Sequence, residues 1–198
     1  MKSLLVVSRI IDRFIGWIEV LCLFLVSALV LLGVYNVIAR YIGRYIGVNL
    51  ASNTLIEGQW YLFSVVFLLG FSVIMRRNQH VRVDFLYTKL APRRRALVNL
   101  LSTLFMLIPF CLLAIYIAWD PVIRAWGFMP NGRRIPWEMS PDPGGLPRAP
   151  LKTMIIVGFG LLLIQAISDT IKHAVAAAHV VSDEEIAALE AYEAKGID

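Results

Sequence analysis

The stretch RRNQHVRVDFLYTKLAPRRR, Arg76 to Arg95, lies between two long apolar runs. It carries seven basic residues (Arg76, Arg77, Arg82, Lys89, Arg93, Arg94, Arg95) against one acid, Asp84. A loop this dense in positive charge fixes the side of a membrane from which each flanking run enters, and that side is the cytoplasm. Within it Val83, Leu86, Tyr87 and Leu90 recur at i, i+3, i+4 and i+7, the spacing of one helical face. Pro92 ends that helix and can open the next, where its missing N–H costs nothing. The stretch predicts a short amphipathic helix lying at the membrane surface between two spans.

Working outward, the runs on either side are long enough to cross a bilayer, which takes about 20 apolar residues. Upstream, span two is expected at about 54–75 and span one at about 14–38. Downstream, span three is expected at about 96–119 and span four at about 151–171. Lys2, Arg9 and Arg13 before span one resemble a signal peptide, but a signal's apolar core is only about 7–15 residues. The run therefore reads as a retained span. Residues 39–53 read as a short connector carrying a tandem RYIG repeat at Arg40–Gly47. Gly43 and Gly47 form a formal GxxxG, but Arg44 and two tyrosines favour interfacial anchoring over helix pairing. Thr54 and Glu57 have capping-box spacing at the start of span two. Pro109 is expected to kink span three, whose Asn99, Ser102 and Thr103 form a polar stripe suited to helix packing.

Composition agrees with a polytopic membrane protein. Hydrophobic residues make up 59%, charged residues 17%, and mean hydropathy is +0.71, against about 45–50% apolar and about 25% charged in soluble domains. Net charge is +5, but residues 183–198 hold six acids and one lysine, leaving +10 on residues 1–182. Those cations flank the spans, where orientation and lipid headgroups account for them, so no nucleic-acid partner is expected. The expected fold is all-α: four transmembrane helices with an interfacial helix between spans two and three. Residues 1–181 form the membrane domain and 182–198 an acidic tail. Four spans put both termini on one side. The N-terminal segment and the 76–95 loop together hold ten basic residues. The opposite side has Arg40, Arg44, Arg124, Arg133, Arg134, Arg148 and Lys152. The denser side is assigned to the cytoplasm.

The longest non-membrane segment, 120–150, contains seven prolines and Gly144-Gly145, which excludes a long helix. Its Trp126, Phe128, Met129 and Trp137 stand beside Arg124, Arg133 and Arg134, a mixture that suits either headgroup contact or a docking surface.

Signals for chemistry are sparse. Cys22 and Cys111 lie in apolar runs with no CxxC, so they read as small buried hydrophobes and no metal is expected. His80, His173 and His179 lie outside the span centres, which disfavours a haem-bearing anchor subunit of a redox enzyme. No Ser/His/Asp set, HExxH or P-loop is present. Intramembrane charges and inverted repeats, the marks of a stand-alone transporter, are lacking; a small self-assembling channel remains a further alternative.

The ordered set Asn36-Val-Ile-Ala-Arg40, Glu57 with Tyr61-Leu-Phe, Leu69-Gly70, Arg77-Asn-Gln-His80-Val-Arg82-Val-Asp84 and Leu90-Ala-Pro92 resembles the small membrane subunit of tripartite ATP-independent periplasmic (TRAP) transporters, the DctQ-like component. The resemblance covers about residues 14–172. It implies a non-catalytic subunit of a bacterial inner-membrane complex, with no cofactor. The implied partners are a large membrane subunit that moves substrate with sodium, a periplasmic substrate-binding protein and membrane lipids. The cargo it implies is an organic acid. On this resemblance Asn36, Arg40, Glu57, Tyr61, Gly70, His80, Arg82 and Asp84 are subunit-contact or structural residues. Arg124, Trp126, Arg133, Arg134 and Trp137 would form a receptor-docking loop. Capping by Glu57, snorkelling by Arg40 and plain headgroup-facing polarity of His80, Arg82 and Asp84 are the alternatives for those positions.

Overall fold

A computed structural model describes residues 2–48, 50, 52–79, 92–129 and 132–177. Among the described residues the regular structure is all helical apart from two isolated β-bridges. Helix α1 spans Lys2–Ile46, α2 Asn53–Arg76, α3 Pro92–Ser102, α4 Ile108–Ala125 and α5 Arg148–Ala177, and a π-helical turn, Thr103–Leu107, joins α3 to α4. Among the described residues, four helical stretches are long and apolar enough to cross a membrane: Leu4–Ile46, Asn53–Arg76, Arg94–Ala125 and Arg148–Ala177. The expected interfacial helix over 83–90 and the acidic tail lie outside the described residues.

The helices outrun the expected spans. At 45 residues and about 1.5 Å per residue, α1 is about 67 Å long, roughly twice a hydrocarbon core. Polar residues such as Asp12 and Arg40 mark where a bilayer stops, but backbone hydrogen bonds are local and do not stop there. The connector expected over 39–53 is therefore a correction: most of the RYIG repeat is helix. Its end is set by a Schellman motif, in which the Val48 N–H donates to the Gly43 carbonyl at 3.0 Å and Gly47 takes φ +71°. Only a residue without a Cβ adopts that left-handed geometry freely. Helix α2 ends the same way on Asn78, φ 55°, with the Gln79 N–H donating to the Ile74 carbonyl at 3.1 Å.

Pro109 acts through the π turn. Proline cannot donate to the carbonyl four residues back, and its ring crowds that carbonyl. The chain widens immediately before it: the Ile108 N–H donates to Thr103 O, five residues back. Insertion of a π turn is a recognised response to such a break in an α-helix.

The described residues group into two compact units, one drawn from 1–18, 71–113 and 159–177, the other from 19–70 and 114–158. In the first, Phe159 meets Phe110 edge-on at 5.7 Å and lies 6.2 Å from Phe71, while Ile15, Cys111 and Ala166 are fully buried. In the second, Ala125 and Ala149 are fully buried and Gly158 brings α5 against the α2 backbone at Leu68. Of the most apolar window of each span, α5 buries 33% and α1 11%. Side chains such as Phe24, Leu31, Met106 and Tyr116 stay largely exposed. So much exposed apolar surface requires lipid or protein around it.

Candidate functional site

The proline-rich segment is a built structure. Its first half closes as a small hairpin: Phe128 and Arg134 form a bridge, the Met129 N–H donates to Arg133 O at 3.0 Å, and the Ile135 N–H to Gly127 O at 2.9 Å. Its second half closes around a bridge between Met139 and Pro147, with the Ser140 N–H donating to Leu146 O at 3.1 Å. Prolines exclude a helix here but tolerate such turns, because each lacks only its own N–H. The Glu138 N–H donates to Ala125 O at 2.9 Å and the Arg148 N–H to Glu138 O at 2.8 Å. The segment is thus tied to the helix ends from which it leaves and returns.

One face of α2 clasps the second hairpin. Asn53, Thr54, Glu57 and Tyr61 recur at helical spacing and all reach it. The Thr54 hydroxyl donates to Gly144 O at 2.6 Å, Asn53 Nδ2 to Pro143 O at 3.3 Å and the Tyr61 hydroxyl to Leu146 O at 3.3 Å. Glu57 is the centre of the clasp, 2% exposed. One of its carboxylate oxygens accepts from the Ser140 hydroxyl and the other from the Leu146 N–H. A buried carboxylate is tolerable when both oxygens are engaged in this way. The capping box expected of Thr54 and Glu57 does not form. Ser52 caps α2 instead, its Oγ accepting from the Leu55 N–H at 3.3 Å.

The loop residues divide between support and surface. Trp126 is half-buried, donates from Nε1 to Thr153 Oγ1 at 2.8 Å and meets Trp137 edge-on at 4.9 Å. It holds the segment to α5, which makes it a support of the expected docking loop and not part of its outward surface. Trp137, Phe128, Met129, Ile135 and Met139 are exposed. Arg133 and Arg134 are exposed too, with the Arg134 guanidinium 5.2 Å from the Phe128 ring centroid. Arg124 flanks a cavity of about 620 Å³ shared with Asp120, Ile135, Glu138 and Lys152, and Lys152 pairs with Glu138 across it. This outward surface is aromatic, thioether and cationic, the composition enriched at protein interfaces.

The first unit holds a second polar constellation. Asp12 Oδ1 accepts from Gln165 Nε2 at 3.1 Å and lies 3.1 Å from Ser168 Oγ, while Asp12 Oδ2 is 2.9 Å from Lys172 Nζ. Gln165 Nε2 also donates to Asp169 Oδ1 at 3.0 Å, and the Ser8 and Ser168 hydroxyls are 2.7 Å apart. Ser8, Gln165 and Ser168 are each at most 2% exposed. The partners are 153 to 160 residues apart. Spacing on α5 could have hinted at it, since Gln165, Ser168, Asp169 and Lys172 share a helical face. Nothing local points to Ser8 and Asp12.

Of the other expected site residues, Asn36 is buried and Arg40 exposed beside it. Gly70 is half-buried, with nothing within 4 Å of where a Cβ would stand. His80, Arg82 and Asp84 lie outside the described residues. Glu57 and Tyr61 are brought together on one ligand, the second hairpin; Asn36 and Arg40 line a separate cavity.

Comparison with known proteins supplies the remaining finding. A family model described as "Tripartite ATP-independent periplasmic transporters, DctQ component" matches residues 29–176. The "Putative TRAP transporter small permease protein" of Haemophilus influenzae is 32% identical over 102 residues, 52% of this chain and 60% of that protein. The match therefore spans less than two thirds of that relative. No solved structure matches the chain.

Proposed function

Since the chain belongs to the DctQ component family of TRAP transporters, we propose that it is the non-catalytic small permease subunit of such a transporter. It sits as a multi-pass protein in the bacterial inner membrane and packs against the large membrane subunit that moves substrate. It also helps dock the periplasmic substrate-binding protein, for sodium-driven uptake of an organic acid. Both termini and the 76–95 loop face the cytoplasm, with His80, Arg82 and Asp84 bracing the contact with the large subunit there. Residues 1–181 are the membrane part and 182–198 a cytoplasmic tail.

The observation that carries the docking role is the clasp. A proline-rich segment that served only to connect two spans would need no buried carboxylate to hold it. Here Glu57 fixes the second hairpin from its centre. The rest of the segment presents Trp137, Phe128, Met129, Arg133 and Arg134 outward. A fixed surface binds with less loss of conformational entropy than a loose one.

Reconstitution tests the reading. Proteoliposomes holding the large subunit, the binding protein and this chain should take up substrate on a sodium gradient, and omitting this chain should abolish uptake. Full uptake by the other two components alone would refute the subunit role. Reporter fusions at residues 85 and 135 test the orientation, with the first expected in the cytoplasm and the second in the periplasm.

A further inference from the structure

Near its C-terminal end α1 carries two arginines with no bonding partner among the described residues. Arg40 and Arg44 come from the two copies of RYIG and stand one helical turn apart, about 6 Å along the axis. Neither guanidinium has a hydrogen-bond, ion-pair or ring partner among the described residues. Both border a cavity of about 670 Å³ whose wall includes Asn36, Gln59, Val37 and Ile56 and no acidic residue. Asn36 is 5% exposed, and its Oδ1 is buried without a hydrogen-bond partner.

These groups specify a ligand by complement. Two unpaired guanidiniums call for an anion with several acceptor oxygens, and a phosphodiester matches their planar donor geometry. An ammonium headgroup would set a third positive charge beside the two arginines, whereas a hydroxyl-bearing headgroup adds none. Val37 and Ile56 give the cavity an exposed apolar side, suited to the start of an acyl chain. The exposed Tyr41 and Tyr45 place this end of α1 in the headgroup zone, where tyrosines collect.

We propose that this cavity binds the headgroup of an anionic glycerophospholipid of the phosphatidylglycerol type. Arg40 and Arg44 hold the phosphodiester, and the uncharged glycerol headgroup faces the open side of the cavity. The site is distinct from the clasp and needs no partner protein.

Native mass spectrometry of the full chain, in micelles doped with equal phosphatidylglycerol, phosphatidylethanolamine and phosphatidylcholine, tests it. The chain should retain phosphatidylglycerol preferentially. Each arginine that holds the headgroup contributes about five-fold in affinity, so R40Q/R44Q should weaken retention about thirty-fold. R9Q/R13Q removes the same charge at the same spacing from the exposed face near the other end of α1 and should leave the preference unchanged. Equal loss in both double variants, or no loss in R40Q/R44Q, would overturn the proposal. So would displacement of the lipid by millimolar inorganic phosphate, which would make free phosphate the ligand, or preferential retention of phosphatidylethanolamine.

Discussion

Replacing Glu57 by alanine should release the second hairpin while leaving the spans intact. The carboxylate accepts two hydrogen bonds, from the Ser140 hydroxyl and the Leu146 N–H, in a site 2% exposed. A hydrogen bond to a charged group contributes about 1.5–3 kcal/mol net, and a buried N–H left without a partner costs about 1–3 kcal/mol. Ser140 can turn its hydroxyl toward another acceptor, but the Leu146 amide is fixed by the backbone. The loss is therefore about 3 kcal/mol of local stability, discounting the first bond because removing the charge also removes its burial cost. At 1.4 kcal/mol per factor of ten, amide exchange at Leu146 should accelerate about a hundredfold. Glutamine separates charge from geometry: its oxygen can accept from Leu146 and its nitrogen donate to Ser140 Oγ. Glu57→Gln should accelerate exchange about tenfold, for the loss of charge assistance alone. Hydrogen exchange resolved to residues 138–148 in detergent measures both. Exchange at Leu146 within threefold of the unaltered chain in Glu57→Ala would refute the clasp.

The same geometry sets three further outcomes. Gly47→Ala should lower stability by about 1 kcal/mol, a backbone effect alone since nothing lies within 4 Å of the new Cβ; helix fraying at residues 44–48, read by amide exchange, reports it. Gly158→Ala would place a Cβ 2.9 Å from both the Leu68 Cβ and its carbonyl oxygen, forcing α2 and α5 apart at a cost of about 1–3 kcal/mol; a lowered thermal midpoint in detergent is the readout. Lys172→Met should destabilise the first unit by about 3 kcal/mol, the low end for a broken buried pair because these side chains keep 13–20% exposure. Lys172→Arg should recover most of that loss in the same melting experiment.

The spans were legible because a bilayer demands a run of apolar residues, and four such runs stand out between charged segments. The lengths of the helices were not, because Arg13 and Arg40 bound the apolar run although the helix runs through both. Glu57 shows the limit most clearly. Its spacing from Thr54 matches a capping box, and a local rule assigned it a local partner; its ligands are instead 83 and 89 residues away. The Asp12 constellation failed for the same reason, with its counterpart on α5 at the far end of the chain. Composition found the aromatic and cationic loop but could not separate Trp126, which holds the segment in place, from Trp137, which faces outward.

The π turn before Pro109 also sets the phase of the helix that contains it. Ala96, Thr103 and Cys111 are 7%, 7% and 0% exposed, so α3, the π turn and α4 each bury one of these positions. The first step is seven residues, about 20° short of two full turns of an α-helix. The second is eight, which in an uninterrupted α-helix would swing Cys111 about 80° off that line. A π turn absorbs one extra residue, so eight positions advance the helix about as far as seven, and the line stays continuous. Deleting one residue between 103 and 107 along with a Pro109→Ala change should therefore yield an uninterrupted α-helix whose buried line is preserved. Deleting a residue anywhere between 112 and 120 should instead rotate the C-terminal part of α4 by about 100°.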